Sequence, residues 1–238
     1  MDKLIVLLDA DDTLLDFDRS EKEAIVTTLK EFGIPVTQNI VDRYVQINLH
    51  CWKLLETGRI TRVYLDRLRF DMLFEEFGIK GKDSVAAGAA YRAHLTEKGY
   101  VIDGCIEFLK NISLKYRLFL VTNGTQPTQI VRLKTAGIDG FFEDMFYSEQ
   151  IGCAKPYKGF FDYVFSHIEN FDKSRAVLIG DSLTSDILGA NNAGITGIWF
   201  NPKGKANDGA AVSDYTVSGY ADLTQLLDSL SREKTGNA

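Results

Sequence analysis

The chain of 238 residues is 45% hydrophobic and 25% charged, the balance of a folded soluble protein with room for one large domain or a main domain with a smaller companion. Its formal net charge of −6 argues against nucleic acid or an anionic membrane as partner, because neither attracts an acidic surface. An anionic small molecule stays open, since a metal and one lysine reverse the potential inside a narrow cleft.

The first element is an unbroken apolar run, Leu4–Leu8, the pattern of a strand buried on both faces of a parallel sheet. From about Arg19 to Lys98 the pattern changes to amphipathic segments with no convincing strand: Glu21–Phe32, Ile40–Glu56, Thr61–Phe77 and Lys82–Glu97. Gly33-Ile34-Pro35, Thr57-Gly58-Arg59 and Gly78–Gly81 punctuate them. So many consecutive helices exceed what one crossover between strands needs, and residues 17–98 read as a helical cap inserted into a core formed by residues 1–16 and 99–238.

After the helical block, strands and helices alternate. The predicted strands are Leu118–Val121, a weaker Met145–Tyr147, Ala176–Ile179 and Ile195–Phe200. The predicted helices are Asp103–Tyr116, Thr125–Ala136, Tyr157–His167 and Ser185–Ala193, then a last one with Leu223, Leu226, Leu227 and Leu230 at helical spacing. Lys203–Ser213 reads as a loop and Ser231–Ala238 as a frayed tail. The alternation predicts an α/β fold with a doubly wound parallel sheet.

Cys51, Cys105 and Cys153 are odd in number and lack a CxxC spacing, so free thiols in a reducing cytosol are expected. His50, His94 and His167 are too scattered to propose zinc. Leu4–Leu8 is too short for a signal sequence or a membrane span, and a cytoplasmic location is expected.

Chemistry gathers at the strand ends. Asp9-Ala10-Asp11-Asp12-Thr13-Leu14 follows the first strand, and in an open parallel sheet the carboxyl ends of the strands line the ligand crevice. Carboxylates at this density repel one another unless a cation joins them, and hard oxygen ligands suit Mg²⁺. Thr122-Asn123-Gly124 offers a hydroxyl and amides at a glycine turn, suited to phosphoryl oxygens. Lys155 precedes Pro156, on a rigid loop able to aim its ammonium inward, and Gly180–Asp186 ends the fourth strand with Asp181 and Asp186. Each group alone has a mundane explanation as a turn, a helix cap or a surface charge. All of them at one sheet edge do not.

The ordered set Asp9–Leu14, Thr122–Gly124, Lys155-Pro156 and Gly180–Asp186 resembles the haloacid dehalogenase-like (HAD) hydrolase superfamily over nearly the whole chain. The resemblance implies a Rossmann-like parallel-sheet core with an α-helical cap inserted after the first motif. It implies catalysis by Asp9, Asp11 and Lys155, phosphate binding by Thr122, Asn123 and Lys155, and Mg²⁺ held by Asp9, Asp181 and the backbone carbonyl of Asp11, with Asp186 a ligand through water or a partner of these ligands. Asp9 would be the nucleophile that forms an aspartyl-phosphate, and Asp11 the acid that protonates the leaving group and then activates water. An acid at position 11 favours phosphoryl transfer over dehalogenation, since a halide leaves without a proton; it does not separate phosphatase from phosphomutase. Many relatives carry Gly where this chain has Asp12.

The segment Trp52–Thr61, taken with Asp9-Ala10-Asp11 and Thr122-Asn123-Gly124, is similar to the bacterial pyrimidine 5′-nucleotidase subfamily. That likeness implies a small nucleotide as substrate, with Phe17, Tyr44 and Trp52 as candidates to meet the base and Arg59 or Arg62 the phosphate. Rival readings are a sugar-phosphate or phosphoglycolate phosphatase and a silent Mg²⁺- or phosphate-binding module. The latter resembles a receiver domain, which needs neither a cap nor a general acid. Neither a nucleic-acid polymer nor a membrane is an expected partner, and the expected state is a monomer or weak homo-oligomer.

Overall fold

The apolar run at the start of the chain becomes strand β1 (Ile5–Leu8), all of it buried, in a computed structural model that describes residues 3–207 and 209–235. Its side chains alternate between two cores. Leu4, Val6 and Leu8 pack on one side with Phe108, Leu109, Leu223 and Leu227, while Ile5 and Leu7 pack on the other with Phe160, Phe161 and Val164. A strand with a core on each face has no solvent side, which is why its sequence does not alternate.

The other strands are β2 (Arg117–Thr122), β3 (Asp144–Tyr147), β4 (Ala176–Gly180), β5 (Thr196–Phe200) and β6 (Tyr215–Val217). In chain order the helices are α1 (Phe17–Glu31), α2 (Gln38–Glu56), α3 (Arg62–Glu76), α4 (Ser84–Thr96), α5 (Cys105–Ser113), α6 (Gln126–Ala136), α7 (Ser148–Ile151), α8 (Lys158–His167), α9 (Leu188–Ala193) and α10 (Tyr220–Thr235). The strands form one parallel sheet in the order β3-β2-β1-β4-β5-β6. Helices α5, α6 and α10 contribute to the core on one face, and α8 and α9 to the core on the other. This is a Rossmann-like α/β core.

Register decides where the chemistry sits. Leu8 stands level with Leu120 on β2 and Ile179 on β4, and the Asp9 amide continues the ladder to the Ile179 carbonyl at 3.0 Å. The residues that follow these three strands therefore leave the sheet along one edge.

The chain divides into two compact units, one of residues up to Asp16 and from Val101 onward, the other Phe17–Tyr100. The second unit is α1 to α4, with Thr37, Thr61 and Asp83 capping α2, α3 and α4 through their side chains. Its centre is aromatic: Tyr44, Phe70 and Tyr91 are fully buried, with ring centroids 5.1–6.1 Å apart. Beside them runs a buried polar chain in which Asn48 donates to Glu21 at 2.6 Å and accepts from Arg69 at 3.1 Å, while Arg69 pairs with Asp66 at 2.6 Å. The division falls at Tyr100–Val101 rather than at 98–99, because Tyr100 belongs to the helices: its hydroxyl donates to Glu23 at 2.7 Å and Arg19 lies 3.7 Å over its ring.

Three other details differ from the sequence reading. Strand β6 was not predicted; only Val217 of its three residues is buried, so an edge strand this short has no periodic signal. The predicted helix Ser185–Ala193 begins earlier, as a π turn over Leu183–Ile187 that runs into α9. Of the tail expected to fray, Ser231–Thr235 continue α10, and residues 236–238 lie outside the described residues. Among the described residues no helix is long and apolar enough to cross a membrane.

Phe70→Ala removes the ring that both Tyr44 and Tyr91 lean on. Urea denaturation of the full chain is expected to show a loss of about 3–5 kcal/mol, the usual cost of a large buried aromatic replaced by alanine.

Candidate active site

The carboxyl edge of the sheet collects buried charge. Lys155, on the loop before α8, is only 1% exposed, and its ammonium donates to Asp9 Oδ1 at 2.6 Å, Asp186 Oδ1 at 2.6 Å and the Val121 carbonyl at 2.8 Å. An ammonium has three hydrogens to give, and all three are used. Burial works against its charge, but Asp186 and Asp9 outweigh that and hold the ammonium above its ordinary pKa.

Asp186 reaches this point from the π turn, one wider than an α turn. The turn is fixed by Ser182, whose hydroxyl accepts from the Ser185 amide at 3.2 Å and whose own amide donates to Asp186 Oδ2 at 3.1 Å. The Asp186 carboxylate lies against the backbone of Gly180, where an added Cβ would stand 2.2 Å from it. Glycine at the end of β4 is what lets the carboxylate in.

Asp9, Asp181 and Asp186 bring one carboxylate oxygen each to within 4.8 Å of one another. Burial pushes the Asp9 carboxyl well up against the pull of Lys155, and Asp186 and Asp11 push the same way. Burial likewise lifts Asp181 to about 7, with Lys205 opposing at 3.0 Å and Asp12 and Asp186 adding. Lys155 and the half-exposed Lys205 together leave the three carboxylates short of positive charge, and an all-oxygen donor set of this kind fits a hard divalent cation such as Mg²⁺. The side chain of Asp11 is not part of this cluster: it turns away to α6, where Arg132 Nη1 donates to Oδ1 at 2.5 Å and Gln129 Nε2 to Oδ2 at 2.7 Å.

Thr122 ends β2 with its hydroxyl oxygen accepting from the Gly124 amide at 3.0 Å and from Gln129 at 3.2 Å. With its lone pairs engaged, what it has left to offer a ligand is its own hydrogen. Asn123 is spent differently. Its Oδ1 accepts from the Lys155 amide at 2.9 Å, and its Nδ2 donates to the Lys155 carbonyl at 3.0 Å and to Ser185 at 3.2 Å. That side chain holds the Lys155 loop to the end of β2. Asp12 adopts φ +57°, the left-handed region in which Gly is easiest and Asp is tolerated.

The residues considered for base recognition lie in the helical unit. Tyr44 is a correction: it is fully buried between Phe70 and Tyr91, so its ring is packing and presents no face to a ligand. Phe17 and Trp52 are only partly buried against that core, and Arg62 lies 4.3 Å over the Trp52 ring. Gln129 and Arg132 were missed by sequence reasoning. The available signal was polar residues at i and i+3 on the same helix face as Leu133 and Ala136, where apolar ones belong.

The family model for haloacid dehalogenase-like hydrolases matches residues 4–194. This chain belongs to that family. It is 39% identical to pyrimidine 5′-nucleotidase PynA of Streptococcus pneumoniae, over 96% of this chain and 97% of that protein. It is 30% identical to pyrimidine 5′-nucleotidase YjjG of Escherichia coli, over 93% and 96%. A crystal structure of HAD-hydrolase YfnB from Bacillus subtilis, bound to magnesium and described as revealing interdomain movement, superposes with a TM-score of 0.90 at 35% identity, covering 96% of this chain and 100% of that one. Within the family the chain is a phosphatase.

Gly180→Ala is expected to push Asp186 off the cluster. Melting should show a loss of about 1–3 kcal/mol, as for other overpacked sites. Calorimetric titration with Mg²⁺ should show weaker binding, whereas wild-type values in both would mean that Asp186 does not need the bare backbone.

Proposed function

We propose that this phosphatase is a Mg²⁺-dependent 5′-nucleotidase that hydrolyses pyrimidine nucleoside monophosphates through an aspartyl-phosphate on Asp9. The observation that carries the chemistry is the convergence of Asp9, Lys155, Asp181 and Asp186 at one edge of the sheet. The substrate class rests on the likeness, along nearly the whole chain, to two proteins that bear that name.

Uncatalysed hydrolysis of a phosphate monoester is so slow that enzymes supply up to ~10²¹-fold acceleration, and its first obstacle is the approach of one anion to another. Mg²⁺, held by Asp9, Asp181 and Asp186, would supply the charge that offsets this repulsion. Lys155 shares the task, its ammonium already on Asp9 Oδ1 at 2.6 Å. Thr122 gives its hydroxyl hydrogen to a phosphoryl oxygen. Asp9 attacks phosphorus as the ester P–O bond breaks, and the leaving alkoxide takes a proton from Asp11. Water then attacks the phosphorus, gives its proton to Asp11, and returns Asp9 as a carboxylate. Asn123 acts through Lys155, whose backbone it clasps on both sides. Phe17 and Trp52 of the helical unit remain the candidates to meet the base.

Phosphate release should be measured on a panel of UMP, dUMP, dTMP and sugar phosphates, with Mg²⁺ and with EDTA. Metal-dependent release led by the pyrimidine nucleotides is expected; sugar phosphates turning over far faster would discard the substrate assignment and keep the chemistry. Asp9→Asn should reduce turnover by at least about 10³-fold while melting stays cooperative. Activity near wild type in that variant would remove Asp9 as nucleophile.

A further inference from the structure

Helix α6 buries Gln129, Arg132 and Leu133 on its inner face. Arg132 is the largest fully buried side chain of the described residues, at 1% exposure, and Gln129 is equally buried. A guanidinium out of water is costly unless it is paired and hydrogen-bonded, so its partners carry the reason for its presence. Arg132 Nη1 donates to Asp11 Oδ1 and, at 3.2 Å, to Gln129 Oε1. Gln129 in turn uses Nε2 twice, toward Asp11 Oδ2 at 2.7 Å and Thr122 Oγ1 at 3.2 Å.

Each oxygen of Asp11 is thus pinned by a different residue, and a carboxylate held at two points does not rotate. The side chain of Asp11 keeps 29% of its surface while that of Arg132 keeps 1%, so Asp11 has an open side for a reacting group and its holders have none. The backbone makes room for this arrangement: a Cβ on Gly124 would stand 2.4 Å from Gln129 Nε2. The glycine after Asn123 is therefore a gap through which the Gln129 amide reaches both Thr122 and Asp11.

We propose that Gln129 and Arg132 are the positioning pair of Asp11, fixing the carboxyl group that hands a proton to the leaving alkoxide and takes one from water. This rests on the phosphatase chemistry given above and extends it to residues outside the strand-end motifs. The bond from Arg132 is charge-assisted and that from Gln129 is between a neutral amide and a carboxylate, so Oδ1 is the anchored oxygen and Oδ2 the one that gives and receives the proton. Neither holder touches the substrate. Loss of the Arg132 fork therefore falls on the proton-transfer steps and spares attack by Asp9, whereas loss of Gln129 also releases the Thr122 hydroxyl and reaches the phosphate site.

The test uses Arg132→Lys, which keeps the charge but loses the fork, and Gln129→Leu, which keeps the volume. Both variants are first checked for cooperative melting. The full-length protein with Mg²⁺ is assayed in two ways. One is steady-state hydrolysis of a nucleoside 5′-monophosphate, whose alkoxide needs a proton. The other is release of p-nitrophenolate from p-nitrophenyl phosphate with enzyme in excess, a first turnover whose leaving group needs none. Positioning predicts that kcat on the nucleotide falls about tenfold or more in both variants, part of what general acid–base catalysis contributes, and that in Arg132→Lys KM stays nearly unchanged and the first p-nitrophenolate turnover lies within about twofold of wild type. Equal losses of Arg132→Lys in both assays would make the pair ordinary packing, and no loss of either variant on the nucleotide would make it dispensable; each result overturns the proposal. If wild type released phosphate from no monoester at all, the phosphatase reading would fall and the pair's role with it.

Discussion

Lys155 is the point on which the catalytic edge depends. Its three bonds tie the end of β1 through Asp9, the end of β2 through the Val121 carbonyl and the turn after β4 through Asp186. Asn123 fixes the backbone of the same residue to the end of β2. Separate loops are thereby held in one geometry by a single ammonium. The cost is a charge taken fully out of water, which only close anionic partners offset. The same bonds that hold the edge together place positive charge against the carboxylate that must meet a phosphate, so structural order and electrostatic preparation are one arrangement.

The glycines of this edge work by absence. Gly180 lets a carboxylate lie against β4, and Gly124 lets an amide pass into the turn after β2. In each case the side chain that fills the gap comes from a residue further along the chain, on the turn or helix that follows the strand: Asp186 in the first case, Gln129 in the second. A strand, a bare residue and a returning polar group thus recur on β2 and β4, the two neighbours of β1.

Much of this was legible in the sequence because parallel sheets write plainly. Buried central strands are unbroken apolar runs, and Leu4–Leu8 and Ala176–Ile179 could hardly be anything else. Asp9, Thr122 and Asp181 stood out because polar residues directly at the end of such runs have no packing role, while Lys155 and Asp186, further along the loops, were picked out only by their order in the family resemblance. What was not legible depended on side-chain direction. Tyr44 sits at a helical spacing shared by core and ligand-facing residues alike, and only the packing of Phe70 and Tyr91 around it decides between them. The sequence offers Asn123 for the amides of a phosphate loop, and gives no sign that its side chain also clasps the backbone of Lys155. Gln129 and Arg132 are polar residues in a helix, the least remarked of patterns, and their burial against Asp11 is a fact of tertiary structure.

The helical unit leaves the chain after Asp16 and returns it at Val101, and it carries an aromatic core and a buried polar chain of its own. Mutations that share no partner add their effects independently. The bonds of Lys155 are all made within the other unit, so these two sets of buried partners have no residue in common. A lineage of this build is expected to accumulate change faster between residues 17 and 100 than at the strand ends.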